Sequence, residues 1–215
     1  MFKYFIAITL SLLSASLSQA QSDFARTVKE YYRVNPFQGN FSSFIKALTT
    51  DPSLMKKEIY RQTDTTGYFV KGQYDVFNPY SINANKVDML FYENVYKSKS
   101  RVLFTFYTYQ LTTYFPDTEL ARRAVIKDYK KLVRKIRKDF YDTQKQSLKG
   151  YNNIEDGEIT AFNNSTSPLE PVVVSWQTLA KTKQLGLTII LRLEQVNNYA
   201  YPVNYKSRIA YGSRF

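Results

Sequence analysis

Residues 116–150 read PDTELARRAVIKDYKKLVRKIRKDFYDTQKQSLKG, with no Gly or Pro between Pro116 and Gly150. Val125, Tyr129, Leu132, Ile136 and Phe140 fall on one side at 100° per residue, and Arg123, Lys127, Lys130, Arg134 and Lys138 fall on the other. The spacing predicts one basic amphipathic helix over 118–148, opened by Asp117 or Thr118 and stopped by Gly150. At 1.5 Å per residue, ~30 residues reach about 45 Å. A compact domain of this size is only ~40 Å across. Such a helix crosses the whole domain, projects from it, or breaks near Asp139–Thr143.

Upstream, Phe24, Val28 and Tyr31/Tyr32 recur at helical spacing behind Ser22-Asp23, and Phe41, Phe44, Ile45 and Leu48 form a second helical set. Asp51-Pro52 reads as a helix restart, with Leu54, Met55 and Ile59 facing inward. The period then changes to two. Tyr68 to Val76, Val87 to Tyr92 and Val102 to Tyr114 read as strands, the last two as a hairpin around Lys97–Ser100. Pro171 to Leu179 and Leu185 to Val196 read as two more, with a short strand around Glu158–Phe162. Asn152 to Gly157 resembles a calcium loop only in its Gly, because Ile154 stands where a ligand oxygen is needed, and it reads as a turn. The expected fold is α+β: N-terminal short helices, then a mainly antiparallel sheet of about five or six strands packed on one long helix.

The chain opens with Lys3, an apolar run from Tyr4 to Leu17 and the small-x-small triplet Ser18-Gln19-Ala20, the order of a secretory signal peptide. The run is ~15 residues, short of the ~20 that a transmembrane helix needs. The expected organisation is a cleaved signal at 1–20, an N-terminal helical segment at 21–62, an α+β domain at 63–200 and a tail at 201–215. Cleavage leaves 195 residues and removes one charge from the +12 of the whole chain. An exported domain without Cys points to a bacterial envelope or periplasmic protein, because small eukaryotic extracellular modules lean on disulfides.

The absence of His and Cys excludes triad-type nucleophilic catalysis, His general bases and thiolate metal sites. Neither phosphate-loop nor dinucleotide fingerprints occur, so nothing calls for a cofactor. Carboxylate-only catalysis stays open, since glycoside hydrolysis needs only two acids. Charge is the strongest functional signal. Nine Lys/Arg and one Asp lie between Arg122 and Lys138, and an ordinary exposed helix face mixes signs. The residues expected to bind an anion are Arg123, Lys127, Lys130, Arg134 and Lys138, by Coulombic attraction and bidentate Arg contacts. An acidic segment (Glu155, Asp156, Glu158) is the alternative internal partner for these cations. The expected function is a non-enzymatic envelope protein that binds an anionic polymer, an anionic lipid surface or an acidic protein. Nucleic acid is the weakest candidate, and no transmembrane segment follows the signal. The alternatives are a carboxylate-dependent hydrolase of an envelope polymer and a structural subunit of a larger assembly. The aromatics clustered in the strands (Phe104, Phe106, Tyr107, Tyr109) read as cross-strand packing before a sugar-stacking surface.

Overall fold

The computed structural model describes residues 28–61, 68–75, 83–98, 101–140, 142–151, 153–163 and 169–203. The expected signal peptide at 1–20 and the tail beyond Val203 lie outside them. Nine strands form one antiparallel sheet: β1 (Met55–Arg61), β2 (Tyr68–Tyr74), β3 (Lys86–Ser98), β4 (Arg101–Pro116), β5 (Asp142–Ser147), β6 (Ile154–Asn163), β7 (Val172–Leu179), β8 (Gln184–Val196) and β9 (Tyr199–Pro202). Two helices lie wholly among the described residues, α1 (Phe41–Thr50) and α2 (Glu119–Ile136), and residues 28–31 are also helical. The spatial order is β1-β2-β3-β4-β8-β7-β6-β5, with β9 on β8. Strands β1 to β4 form one meander, α2 carries the chain to the far edge, and β5 to β8 return strand by strand to β4.

Strand alternation divides the sheet into two faces. Val70, Phe91, Tyr109, Leu191, Val172 and Phe162 stand side by side across six strands, and all are buried. Both helices lie on this face. From α1, Phe44 meets the rings of Phe91 at 5.5 Å and Tyr109 at 5.6 Å. From α2, Val125, Tyr129, Leu132 and Ile136 are buried, and the Tyr129 hydroxyl lies 2.5 Å from that of Thr160 on β6. On the opposite face the row Gln73, Asp88, Thr112, Thr188 and Ser175 is polar throughout. Gln73 donates to Asp88 at 2.9 Å, and the Thr112 and Thr188 hydroxyls are 3.1 Å apart.

The N-terminal segment is pinned to the sheet by polar contacts under α1. The Tyr32 hydroxyl lies 3.1 Å from the Tyr109 carbonyl oxygen and 2.9 Å from that of Ile189. Asp51 accepts from the amide of Ser53 at 2.9 Å and from its hydroxyl at 2.5 Å, and Arg33 stands 3.7 Å away. Burial alone would raise the Asp51 carboxyl. The Ser53 hydroxyl and amide, the Tyr74 hydroxyl and Arg33 outweigh it and hold the carboxyl below its ordinary value.

The architecture corrects the expected α+β fold in three places. The helix of about 30 residues over 118–148 does not form. It ends at Ile136, one 3-10 turn follows (Arg137–Asp139), and Asp142–Ser147 is an edge strand. Phe140, expected on the inner helix face, reaches the core from extended backbone, its ring 5.9 Å from Phe162. Pairing with β6 satisfies one side of the β5 backbone, and this tertiary contact overrides the helix propensity of its Gln and Lys. The helix restart at Asp51-Pro52 is a turn into β1, because the Asp51 side chain bonds Ser53 and β1 completes the edge of β2. Of the turn expected at 152–157, Asn152 lies outside the described residues, Asn153 is in a turn, and from Ile154 onward the chain is β6, which is ten residues long. Among the described residues the sheet therefore holds nine strands in place of five or six.

Strands β3 and β4 outrun their neighbours. Their mutual pairing continues to Ser98 and Arg101, whereas β2 stops pairing with β3 at Tyr92, and β8 stops pairing with β4 at Tyr107.

Leu132 has no exposed surface, so Leu132→Ala is expected to lower unfolding stability by about 2–5 kcal/mol, measured by urea denaturation. Because the folded Asp51 carboxyl titrates below its unfolded value, its contribution is present at neutral pH and is lost as pH falls through the folded value. Asp51→Asn should thus be less stable than wild type at pH 7, with the gap closing below about pH 4. Parallel pH titrations of unfolding stability check this.

Candidate functional site

Helix α2 is specified locally at both ends. The Thr118 side chain accepts from the Ala121 amide at 3.2 Å, Glu119 occupies the first turn, and Arg134 and Lys135 occupy the last, signs that suit the helix dipole. With Val125, Tyr129, Leu132 and Ile136 against the sheet, the cations face outward.

Within this stretch Arg122, Arg123 and Lys135 have carboxylate partners. Arg122 donates to Asp117 at 3.0 Å, Arg123 to Glu119 at 2.9 Å, and Lys135 to Glu30. Of the five residues expected to bind an anion, Arg123 is therefore engaged, though in a pair so exposed that it holds the guanidinium only weakly. Lys127, Lys130, Arg134 and Lys138 are exposed and form no ion pair among the described residues. Lys127, Lys130 and Arg134 lie on α2, and Lys138 lies in the 3-10 turn beyond it. Within the stretch, Asp128 is half-buried; burial raises its carboxyl, with Lys131 and Lys127 acting against that rise.

The acidic segment on β6 serves other cations. Glu158 pairs with Lys145 at 2.9 Å and Glu155 with Lys183 at 3.7 Å. Asp156 accepts its neighbour's amide, Gly157 N–H, at 2.9 Å and lies close enough to Arg122 to favour that guanidinium's charge.

A cleft of about 500 Å³ opens where α2 passes over the β5–β7 edge of the sheet. Helix α2 contributes Ile126 and Lys130, β5 contributes Lys145 to Ser147, β6 contributes Asp156 to Glu158, and β7 contributes Trp176. The two acids are two residues apart on one strand, so both point to the helix-bearing side. Gly157 between them lets β6 approach β7 closely: a Cβ there would lie 2.6 Å from the Trp176 carbonyl oxygen. Trp176 is 4% exposed, and its indole N–H is buried without an acceptor among the described residues, so the ring forms wall.

Sequence reasoning found Lys130 through its place in the helical charge stripe. It missed the cleft, because Lys145 and Ser147 sit on a strand read as helix and Asp156 on a strand read as turn. The one signal in the sequence was the lone Trp in the Val-rich run Val172 to Ser175. Among the described residues no group of three His, Cys, Asp or Glu is placed to hold a metal ion, and no helix is long and apolar enough to cross a membrane. Comparison with known proteins found no matching family model, no similar curated protein and no similar solved structure.

Gly157→Ala must push β6 off β7 or shift the Trp176 carbonyl, and is expected to cost about 1–3 kcal/mol. Urea unfolding followed by Trp176 fluorescence reads the loss.

Proposed function

We propose that this is an exported, non-enzymatic protein of the bacterial envelope or periplasm that binds an anionic partner through the outer surface of α2 and the turn after it. The observation that supports the reading is the division among the cations. Arg122, Arg123 and Lys135 have carboxylate partners, while Lys127, Lys130, Arg134 and Lys138 are exposed without one among the described residues. Like charges at helical spacing repel by a few tenths of a kcal/mol per pair. An anionic partner relieves that repulsion on binding.

A second reading, hydrolysis by carboxylates alone, is favoured by one observation: Asp156 and Glu158 line the same cleft. Against it, Lys145 holds Glu158 in an ion pair. Incubation with acidic polysaccharides and assay of new reducing ends separates the two, since a binding protein releases none.

The binding reading predicts retention on immobilised heparin that weakens with salt, each contacting cation contributing about one to the slope of log K against log salt. Replacing Arg123, Lys127, Lys130, Arg134 and Lys138 by Gln should lower both retention and slope. Arg123→Gln alone should have the smallest effect of the five, because the neighbouring Glu119 carboxylate offsets part of that guanidinium's charge. Equal retention of wild type and the fivefold variant at low salt would end the proposal.

A further inference from the structure

We infer that the cleft between α2 and β5–β7 is a seat for one unit of an acidic saccharide, a sugar bearing a carboxylate or sulfate. The inference rests on the anion-binding reading of α2 and names the ligand class.

Lys130 belongs both to the exposed cation row and to the cleft wall. Of the two lysines in the cleft, Lys145 is neutralised by Glu158 at 2.9 Å, and Lys130 has no carboxylate partner among the described residues. The cleft thus offers one uncommitted positive charge for an anionic group. It also offers carboxylate oxygens. Glu158 and Asp156 are acceptors with lone pairs beyond those used by Lys145 and the Gly157 amide.

That mixture selects among anions. A phosphate or sulfate headgroup presents mainly acceptors, and Asp156 and Glu158 repel it. A sugar acid presents one anionic group together with hydroxyl donors on neighbouring ring carbons, which satisfies lysine and carboxylates at once. The volume of about 500 Å³ falls in the range of small-molecule clefts and admits a sugar unit. A polymer seated there meets Lys127 and Arg134 on the helix that carries Lys130.

Trp176 is the only tryptophan of the chain and lines the cleft, so its fluorescence reports occupancy. The test titrates the full mature chain with a heparin-derived hexasaccharide and with an oligogalacturonide, using maltohexaose and phosphatidic acid vesicles as comparisons. At least one acidic oligosaccharide should give a saturable change in Trp176 emission, and the neutral sugar none. Lys130→Gln should weaken that binding roughly tenfold, the value of a charge-assisted hydrogen bond. Asp156→Asn carries the discriminating sign. Hydroxyl recognition predicts weaker binding, whereas plain electrostatic attraction predicts tighter binding because a negative charge is removed. Thermal unfolding of both variants confirms that they are folded. Tighter binding by Asp156→Asn, equal binding of maltohexaose, or a response to vesicles alone overturns the inference. Retention on heparin without any change in Trp176 emission overturns the cleft and leaves the α2 reading standing. Loss of both heparin retention and titration overturns the two together.

Discussion

The sheet depends on one crossing. After β4 the chain leaves the middle of the sheet and must reach its far edge before β5 to β8 can return and close on β4. Four strand spacings of about 4.8 Å separate β4 from β5, roughly 19 Å. Helix α2 has 18 residues, which at 1.5 Å each span about 27 Å. A helix of that length completes the crossing, and one of thirty residues would overshoot the edge where β5 has to begin. Its inner side must be apolar because it lies over β7 and β8, and its outer side is left to the cations.

The sheet is packed differently on the two sides of this crossing. Under α1 the face is aromatic: Phe91, Tyr107 and Tyr109 meet Phe41, Phe44 and Tyr32 at ring distances of 4.5–5.6 Å. Under α2 it is mostly aliphatic, from Leu185 to Leu191 on β8 and Val172 and Val174 on β7. Aromatics bury more surface per residue than aliphatics, which suits the half covered by the shorter helix. Of the strand aromatics expected to pack across strands, Tyr109 is in the core and Phe104 is exposed.

How much of this is legible in the sequence follows from how each residue is used. The inner face of α2 is legible because Val125, Tyr129, Leu132 and Ile136 keep helical spacing against a real core. Its end is not, because Arg137 to Ser147 contains neither Gly nor Pro, and the stop comes from the open edge of β6. Strand β1 hides because its register shifts between Met55 and Glu58, which breaks the alternation that marks a strand. Strand β5 hides because Asp142 to Ser147 is polar on both sides, as an edge strand can be. The cation row is readable from one helix, whereas the cleft draws its walls from four elements far apart in the chain, and no local pattern announces such a meeting.

The unequal lengths of the strands have a dynamic consequence. Among the described residues, the β3–β4 hairpin beyond Tyr92 and Tyr107 is a two-stranded ribbon, its backbone bonded to the rest of the sheet by neither β2 nor β8. A lone ribbon is marginal in water. Its described arms, Glu93–Ser98 and Arg101–Phe106, can therefore open and re-pair without disturbing Phe91, Tyr109 or the layer beneath α1, and their amide protons exchange with solvent on a clock separate from that of global unfolding.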